Sequence, residues 1–129
     1  MTVTPLYAGL LGTLFLYLTF RVIRFRRGSR VDMGDAGNPL LRRYIRAHAN
    51  FAEFAPFGLI LLLLVEFGDW PVWLLHLLGL MLLVGRLAHA WSFSVAELRL
   101  PSRTVGMVLT IGMLALAAIL CLVRGLGLA

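Results

Sequence analysis

Three short clusters of polar residues in this chain have the types and spacing to do chemistry. The first is Arg46, Asn50 and Glu53. At about 100° per residue, steps of four and seven turn a helix by about 40° and about −20°, so on a helix these three line one stripe. A cation, an amide and a carboxylate stacked this way suit a small zwitterionic ligand, or equally the interhelical hydrogen bonds and salt bridge that hold a bundle together. His48 points about 200° away from that stripe and reads as a loop or interface contact. The second cluster is Arg86, His89 and Phe93, spaced by three and four residues on one helix face, which Glu97 joins if the helix continues. An arginine embedded near the end of an apolar span needs a carboxylate, a backbone carbonyl or a bound anion, and Glu53 is its expected partner within the protein. His89 alone reads first as a packed hydrogen-bonding group. The third element is Arg103, just after Pro101-Ser102 at an expected helix start. Helix N-termini carry partial positive charge and free amides, so an arginine there either completes an anion trap or faces solvent and lipid headgroups. Neither stripe has the closely spaced His, Asp or Glu ligands of a metal site.

The elements that must position these residues are apolar. Of 129 residues, 60% are hydrophobic and 14% charged, which is too apolar for one water-soluble core. The fold class is therefore all-α, an integral membrane four-helix bundle in a single domain over residues 1–129, with helices expected at about 6–23, 39–67, 71–93 and 102–123. A cleavable signal peptide is a poorer reading of the first block, whose arginines follow the apolar run instead of preceding it. Asn38-Pro39 signals the start of the second helix, an N-cap residue before a proline whose missing amide hydrogen costs nothing there. The length of that helix carries it beyond the bilayer. Short connections make successive helices antiparallel neighbours. Gly9, Gly12, Gly79 and Gly85 permit close helix approach.

The formal net charge of +6 comes from arginine alone, and seven of the twelve arginines lie between Arg21 and Arg43. Cations confined between apolar blocks flank membranes and do not form the basic face of a nucleic-acid binder. The positive-inside rule puts the loop from Arg24 to Arg43, and the connection holding Arg99 and Arg103, in the cytoplasm, with both termini periplasmic. Arg124 opposes that assignment and is outweighed by the first loop. Trp70, Trp73, Trp91, Tyr7 and Tyr44 fit interfacial aromatic belts. Cys121, within the last apolar block, is best explained by core packing.

Two motifs in order resemble one family. Arg46-Ala47-His48-Ala49-Asn50-Phe51-Ala52-Glu53 followed by Pro56 is similar to the helix-two signature of the MAPEG proteins, the membrane-associated proteins in eicosanoid and glutathione metabolism. Gly85-Arg86-Leu87-Ala88-His89, then Phe93, then Leu98-Arg99-Leu100-Pro101-Ser102-Arg103 resembles the corresponding stretch of microsomal prostaglandin E synthase and microsomal glutathione transferase. Gly34-Asp35-Ala36-Gly37 looks like bacterial members.

The resemblance implies a homotrimer in a bacterial inner membrane that binds glutathione between adjacent subunits near the cytoplasmic side. It assigns Arg46, Asn50 and Glu53 to glutathione binding, with Arg86, His89 and Phe93 on the facing stripe, and makes Arg103 the catalytic, thiol-activating residue. The chemistry agrees: arginine forks suit carboxylates, glutamate suits an amine and asparagine an amide. The implied activity is glutathione transfer to lipophilic electrophiles arriving from the membrane lipid, with peroxidase chemistry open to the same thiolate. Phe93 and Met107 stand where family members carry tyrosines, which speaks against prostaglandin synthesis. Two other readings remain: a non-catalytic lipid-binding or scaffold member of the same fold, and a small multidrug exporter. The exporter ranks last, because helix one has no acidic residue between Leu6 and Phe20.

Overall fold

The computed structural model describes residues 2–93 and 100–128. Four helices account for most of them: α1 (Val3–Ser29), α2 (Pro39–Phe67), α3 (Val72–Ser92) and α4 (Leu100–Gly125). Each is long and apolar enough to cross a membrane. At about 1.5 Å per residue, α1 and α2 run to about 40 Å or more, longer than a hydrocarbon core of about 30 Å. Glu97 and Arg99 lie outside the described residues.

The second helix starts where its capping signal puts it. The Asn38 side chain accepts hydrogen bonds from the amides of Leu40 and Leu41, and Pro39 opens the first turn. By contrast, α1 does not stop at Ile23. It continues through Arg24, Arg26 and Arg27 to Ser29 and ends at Arg30, whose left-handed conformation (φ 53°) turns its amide back to the carbonyls of Arg26 and Arg27. Arginine is a good helix former, so leaving the apolar core ends hydrophobic burial without ending the helix. The N-terminus of α1 has no cap of its own. Glu66, near the far end of α2, supplies one: its carboxylate accepts from the amides of Thr2, Val3 and Thr4 at 2.7, 3.0 and 2.8 Å. The amides of Thr2, Val3 and Thr4, which precede Pro5 with its missing N–H, are thereby satisfied by an antiparallel neighbour.

The central pair of the bundle is α2 and α3. Helix α1 packs on both and so does α4, while α1 and α4 do not touch among the described residues. Leu11 and Leu18 from α1, Phe51 and Leu62 from α2, Leu78 and Leu82 from α3, and Met113 from α4 fill the core. The outer surface is equally apolar, with Tyr17, Phe20, Phe57, Leu64, Trp73, Leu80, Trp91 and Leu122 exposed. Such a surface suits lipid and not water. Tyr7 departs from the belt expectation: it is buried, its hydroxyl donates to the carbonyl of His76 at 3.1 Å, and it packs against Gly79, where a Cβ would collide with its ring.

Helices α3 and α4 approach most closely at Gly85 and Gly106. A Cβ on Gly106 would stand 2.7 Å from the Gly85 carbonyl oxygen and 2.7 Å from the His89 nitrogen. Small residues at such a crossing bring backbones together where lipid supplies no hydrophobic drive. At Gly9 and Gly12, by contrast, a Cβ would meet nothing within 4 Å, and neither glycine mediates a close approach among the described residues.

Candidate functional site

The glycine crossing of α3 and α4 sets the height and direction of Arg86, the next residue along α3. Its side chain is 1% exposed and enters the bundle between α2 and α4. There Nη1 donates to the Asn50 side-chain oxygen at 2.7 Å and more weakly to the Asn50 carbonyl at 3.4 Å. Nε donates to Thr110 Oγ1 at 3.2 Å, and Nη2 approaches the Met107 sulfur at 3.6 Å. The Phe54 ring lies 5.4 Å from the guanidinium carbon. Thr110 passes the interaction on, its hydroxyl donating to the Gly106 carbonyl at 2.8 Å.

The expected ion pair between Arg86 and Glu53 does not form. Glu53 lies three residues beyond Asn50, about 60° around the helix, and its side chain is exposed while Asn50 turns inward. Among the described residues, the buried cation is thus held by neutral acceptors. Arg46 is exposed like Glu53. The helix-two stripe therefore runs along the margin of the bundle, with its middle member, Asn50, tied to Arg86 and its two charged ends facing outward.

Beyond Arg86, α3 carries His89, and Phe93 follows as its C-cap residue. Both are buried, with ring centroids 5.1 Å apart. Arg103, exposed in the first turn of α4, holds its guanidinium 5.4 Å from the Phe93 ring centroid. Phe93 thus lies between His89 and Arg103, linking the second cluster to the third. No acidic residue occupies the first turn of α4. His48 faces α1, where its Nε2 lies 3.0 Å from Thr19 Oγ1 and its ring stacks on Phe15.

The structure brings Asn50, Arg86, Thr110 and Met107 together, and separately His89, Phe93 and Arg103. Thr110 and Met107 were not among the expected site residues. Their signal was present: Arg103, Gly106, Met107 and Thr110 share one face of α4 by spacing, and a threonine in an apolar helix needs an acceptor. A further feature is an apolar cleft of about 220 Å³ between α1 and α2, lined in part by Gly12, Phe15, Ala52 and Pro56. Pro56 has no amide hydrogen to offer the carbonyl of Ala52, so the α2 ladder is interrupted beside this cleft.

Comparison with known proteins shows the family. The chain is similar to the inner membrane protein YecN of Escherichia coli K12, with 38% identity over 91 residues that cover 70% of each chain. The YecN protein of an O6:H1 strain of the same species matches to the same extent. The model of the MAPEG family matches residues 4–123, which include all three clusters and most of every helix. This four-helix membrane protein belongs to the MAPEG family.

Proposed function

We propose that the protein is a glutathione transferase of the bacterial inner membrane that conjugates lipophilic electrophiles, acting as a homotrimer. Glutathione offers two carboxylates, an amine, two amides and a thiol. Arg46 and Glu53, exposed at the subunit margin, take a carboxylate and the amine, and the Asn50 amide lies between them. Arg86 holds Asn50 in place from behind, while His89 and Phe93 form the floor beneath Arg103. Inner-membrane location follows the name of the YecN relatives, and the arginine bias supports a site facing the cytoplasm.

The observation that supports this reading most directly is Arg103. Among the described residues, an exposed cation in the first turn of a helix with no acidic residue in that turn is locally unfavourable, and a bound anion would complement both the guanidinium and the helix end. A thiol with a pKa near 8.5 is mostly protonated at neutral pH, and each tenfold gain in thiolate requires about 1.4 kcal/mol of preferential stabilisation. Arg103 supplies it by direct charge pairing. The thiolate sulfur then forms a bond to the electrophilic carbon, and the leaving group departs with its electron pair.

The test is conjugation of glutathione to 1-chloro-2,4-dinitrobenzene by the purified protein, with ultraviolet detection of thiolate on glutathione binding. Wild type is expected to bind and conjugate, and Arg103→Ala to lose the thiolate signal. Absence of both activities in the wild type would remove the transferase reading and leave the lipid-binding scaffold. A full thiolate signal in the variant would remove only the role of Arg103. Cross-linking in native membranes reads the trimer.

A further inference from the structure

The charge of this chain is not spread over it. Residues 21–46 hold eight arginines against two aspartates, while the rest of the sequence holds four arginines against four acids. The whole formal net charge of +6 therefore resides in the end of α1, the loop after it and the start of α2.

That segment is folded. Beyond Arg30, the amide of Val31 returns to the Arg26 carbonyl at 3.0 Å, and Arg26 Nη1 donates to the carbonyl of Asp32 at 3.0 Å. Asp35 is occupied by Arg42, its Oδ2 2.5 Å from Arg42 Nε, and by the amide of Gly37 at 2.9 Å. The fold leaves a cleft lined by Ile23, Arg26, Arg27, Arg30, Val31 and Asp32, with a volume of about 430 Å³. Arg27 and Arg30 are exposed. One aspartate against three arginines leaves the cleft cationic, and Ile23 and Val31 give it an apolar wall.

Depth decides what such a cleft meets. Counted from Val3, a span of about 20 residues ends near Ile23. Arg26, Arg27 and Arg30 therefore sit at the level of lipid phosphates, and Ile23 at the edge of the acyl chains. Guanidinium forks match phosphate oxygens in pairs.

We propose that this cleft is a binding site for the phosphate headgroup of an anionic phospholipid, with the arginines on the phosphate and Ile23 and Val31 against the proximal acyl chain. It is independent of the glutathione reading. The amphipathic lining distinguishes a lipid from free phosphate, which would gain nothing from Ile23.

The test uses the full chain in nanodiscs of dioleoylphosphatidylcholine containing dioleoylphosphatidylglycerol, with retained lipid counted by native mass spectrometry. Wild type is expected to retain phosphatidylglycerol over phosphatidylcholine. The R26Q/R27Q/R30Q variant is expected to hold it more weakly by on the order of a hundredfold, three arginines each contributing near an anionic surface. The R21Q/R24Q/R43Q variant, with the same charge removed at the same membrane face but outside the cleft, is expected to retain it. Equal loss in both triple variants would show a diffuse charge effect and overturn the site. Displacement of the lipid by inorganic phosphate at equal concentration would overturn the lipid assignment. Should the glutamine triple fail to fold in phosphatidylcholine alone, R26K/R27K/R30K replaces it. Weaker retention there supports the site, and unchanged retention overturns it.

Discussion

Arg86 on α3 donates to the side-chain oxygen of Asn50 on α2 at 2.7 Å, so a buried guanidinium is anchored by an amide and not by the carboxylate three residues away. This arrangement fixes the position of Arg86 without spending a carboxylate on its charge. It also ties the central member of the helix-two stripe to the helix that carries His89 and is capped by Phe93.

Replacing Asn50 tests that anchor. Asn50→Leu removes the best acceptor of a buried cation and is expected to cost about 1–3 kcal/mol, read as a lower thermal unfolding temperature in detergent. Asn50→Asp is expected to keep the stability and weaken glutathione binding instead, because it places a carboxylate where the ligand's own anion is attracted. Equal loss of stability in both variants would show that the acceptor oxygen, which Asp keeps, is not what anchors Arg86.

The α3 and α4 crossing depends on two residues without side chains. Gly106→Ala drives a methyl group against the Gly85 carbonyl and the His89 backbone and is expected to destabilise the bundle by about 1–3 kcal/mol. Gly9→Ala adds a methyl group in open space and is expected to be neutral or stabilising by up to about 1 kcal/mol. Thermal unfolding of the two variants side by side reads the contrast.

Glu66 joins the end of α2 to the start of α1. Glu66→Gln halves the acceptor capacity of that side chain and removes the anion that complements the helix end, so the first turn of α1 is expected to fray. Hydrogen exchange over residues 2–8 is expected to speed up, with exchange at Leu78 and Leu82 unchanged. Unchanged exchange at both places would mean that the cap contributes nothing.

The loop carboxylate of Asp35 has a pH dependence of known sign. Hydrogen bonds from Arg42 and from the Gly37 amide hold its pKa below the ordinary value of 3.8. A depressed folded-state pKa contributes stability that is present above the unfolded value and is lost as the pH falls through the lower folded value. The loop is therefore expected to keep its structure as the pH falls through 3.8 and to open only in stronger acid. The carboxyl carbon shift of Asp35 follows this directly. In Arg42→Gln the same titration is expected to move up toward the ordinary range.

Much of this architecture is legible in the residues. Four apolar runs specify four helices, and Asn38-Pro39 specifies where α2 begins, because both signals are local. The end of α1 was less legible: Arg24, Arg26 and Arg27 mark the membrane boundary, and a helix need not end there. The partner of Arg86 was illegible for a different reason. Asn50 and Glu53 differ by about 60° around α2, and which of them turns inward depends on how α2 is rotated against α3 and α4. That rotation depends on contacts of α2 with its neighbours, such as Gly58 against Leu82, between segments distant in sequence. Tyr7 misled in the same way, since an aromatic residue near a helix end suits either an interface or a pocket over Gly79.

Phe93 offers a gain of function to set against these losses. Its ring lies between His89 and Arg103, 5.1 Å and 5.4 Å away respectively, and it has no hydroxyl to give. In Phe93→Tyr the added hydroxyl extends from the ring that Arg103 overlies, within reach of a ligand held by that guanidinium. One hydrogen bond there, worth about 0.5–1.5 kcal/mol, corresponds to a gain of about 2-fold to 10-fold. If the hydroxyl reaches the thiolate, the thiol pKa of bound glutathione falls, and conjugation at about pH 6.5 rises more than at about pH 8. A hydroxyl that reaches only the peptide amides would lower the KM for glutathione equally at both pH values. The pH profile of the variant therefore distinguishes activation from binding, and an unchanged profile with unchanged KM would place the ligand away from the Phe93 and Arg103 pair.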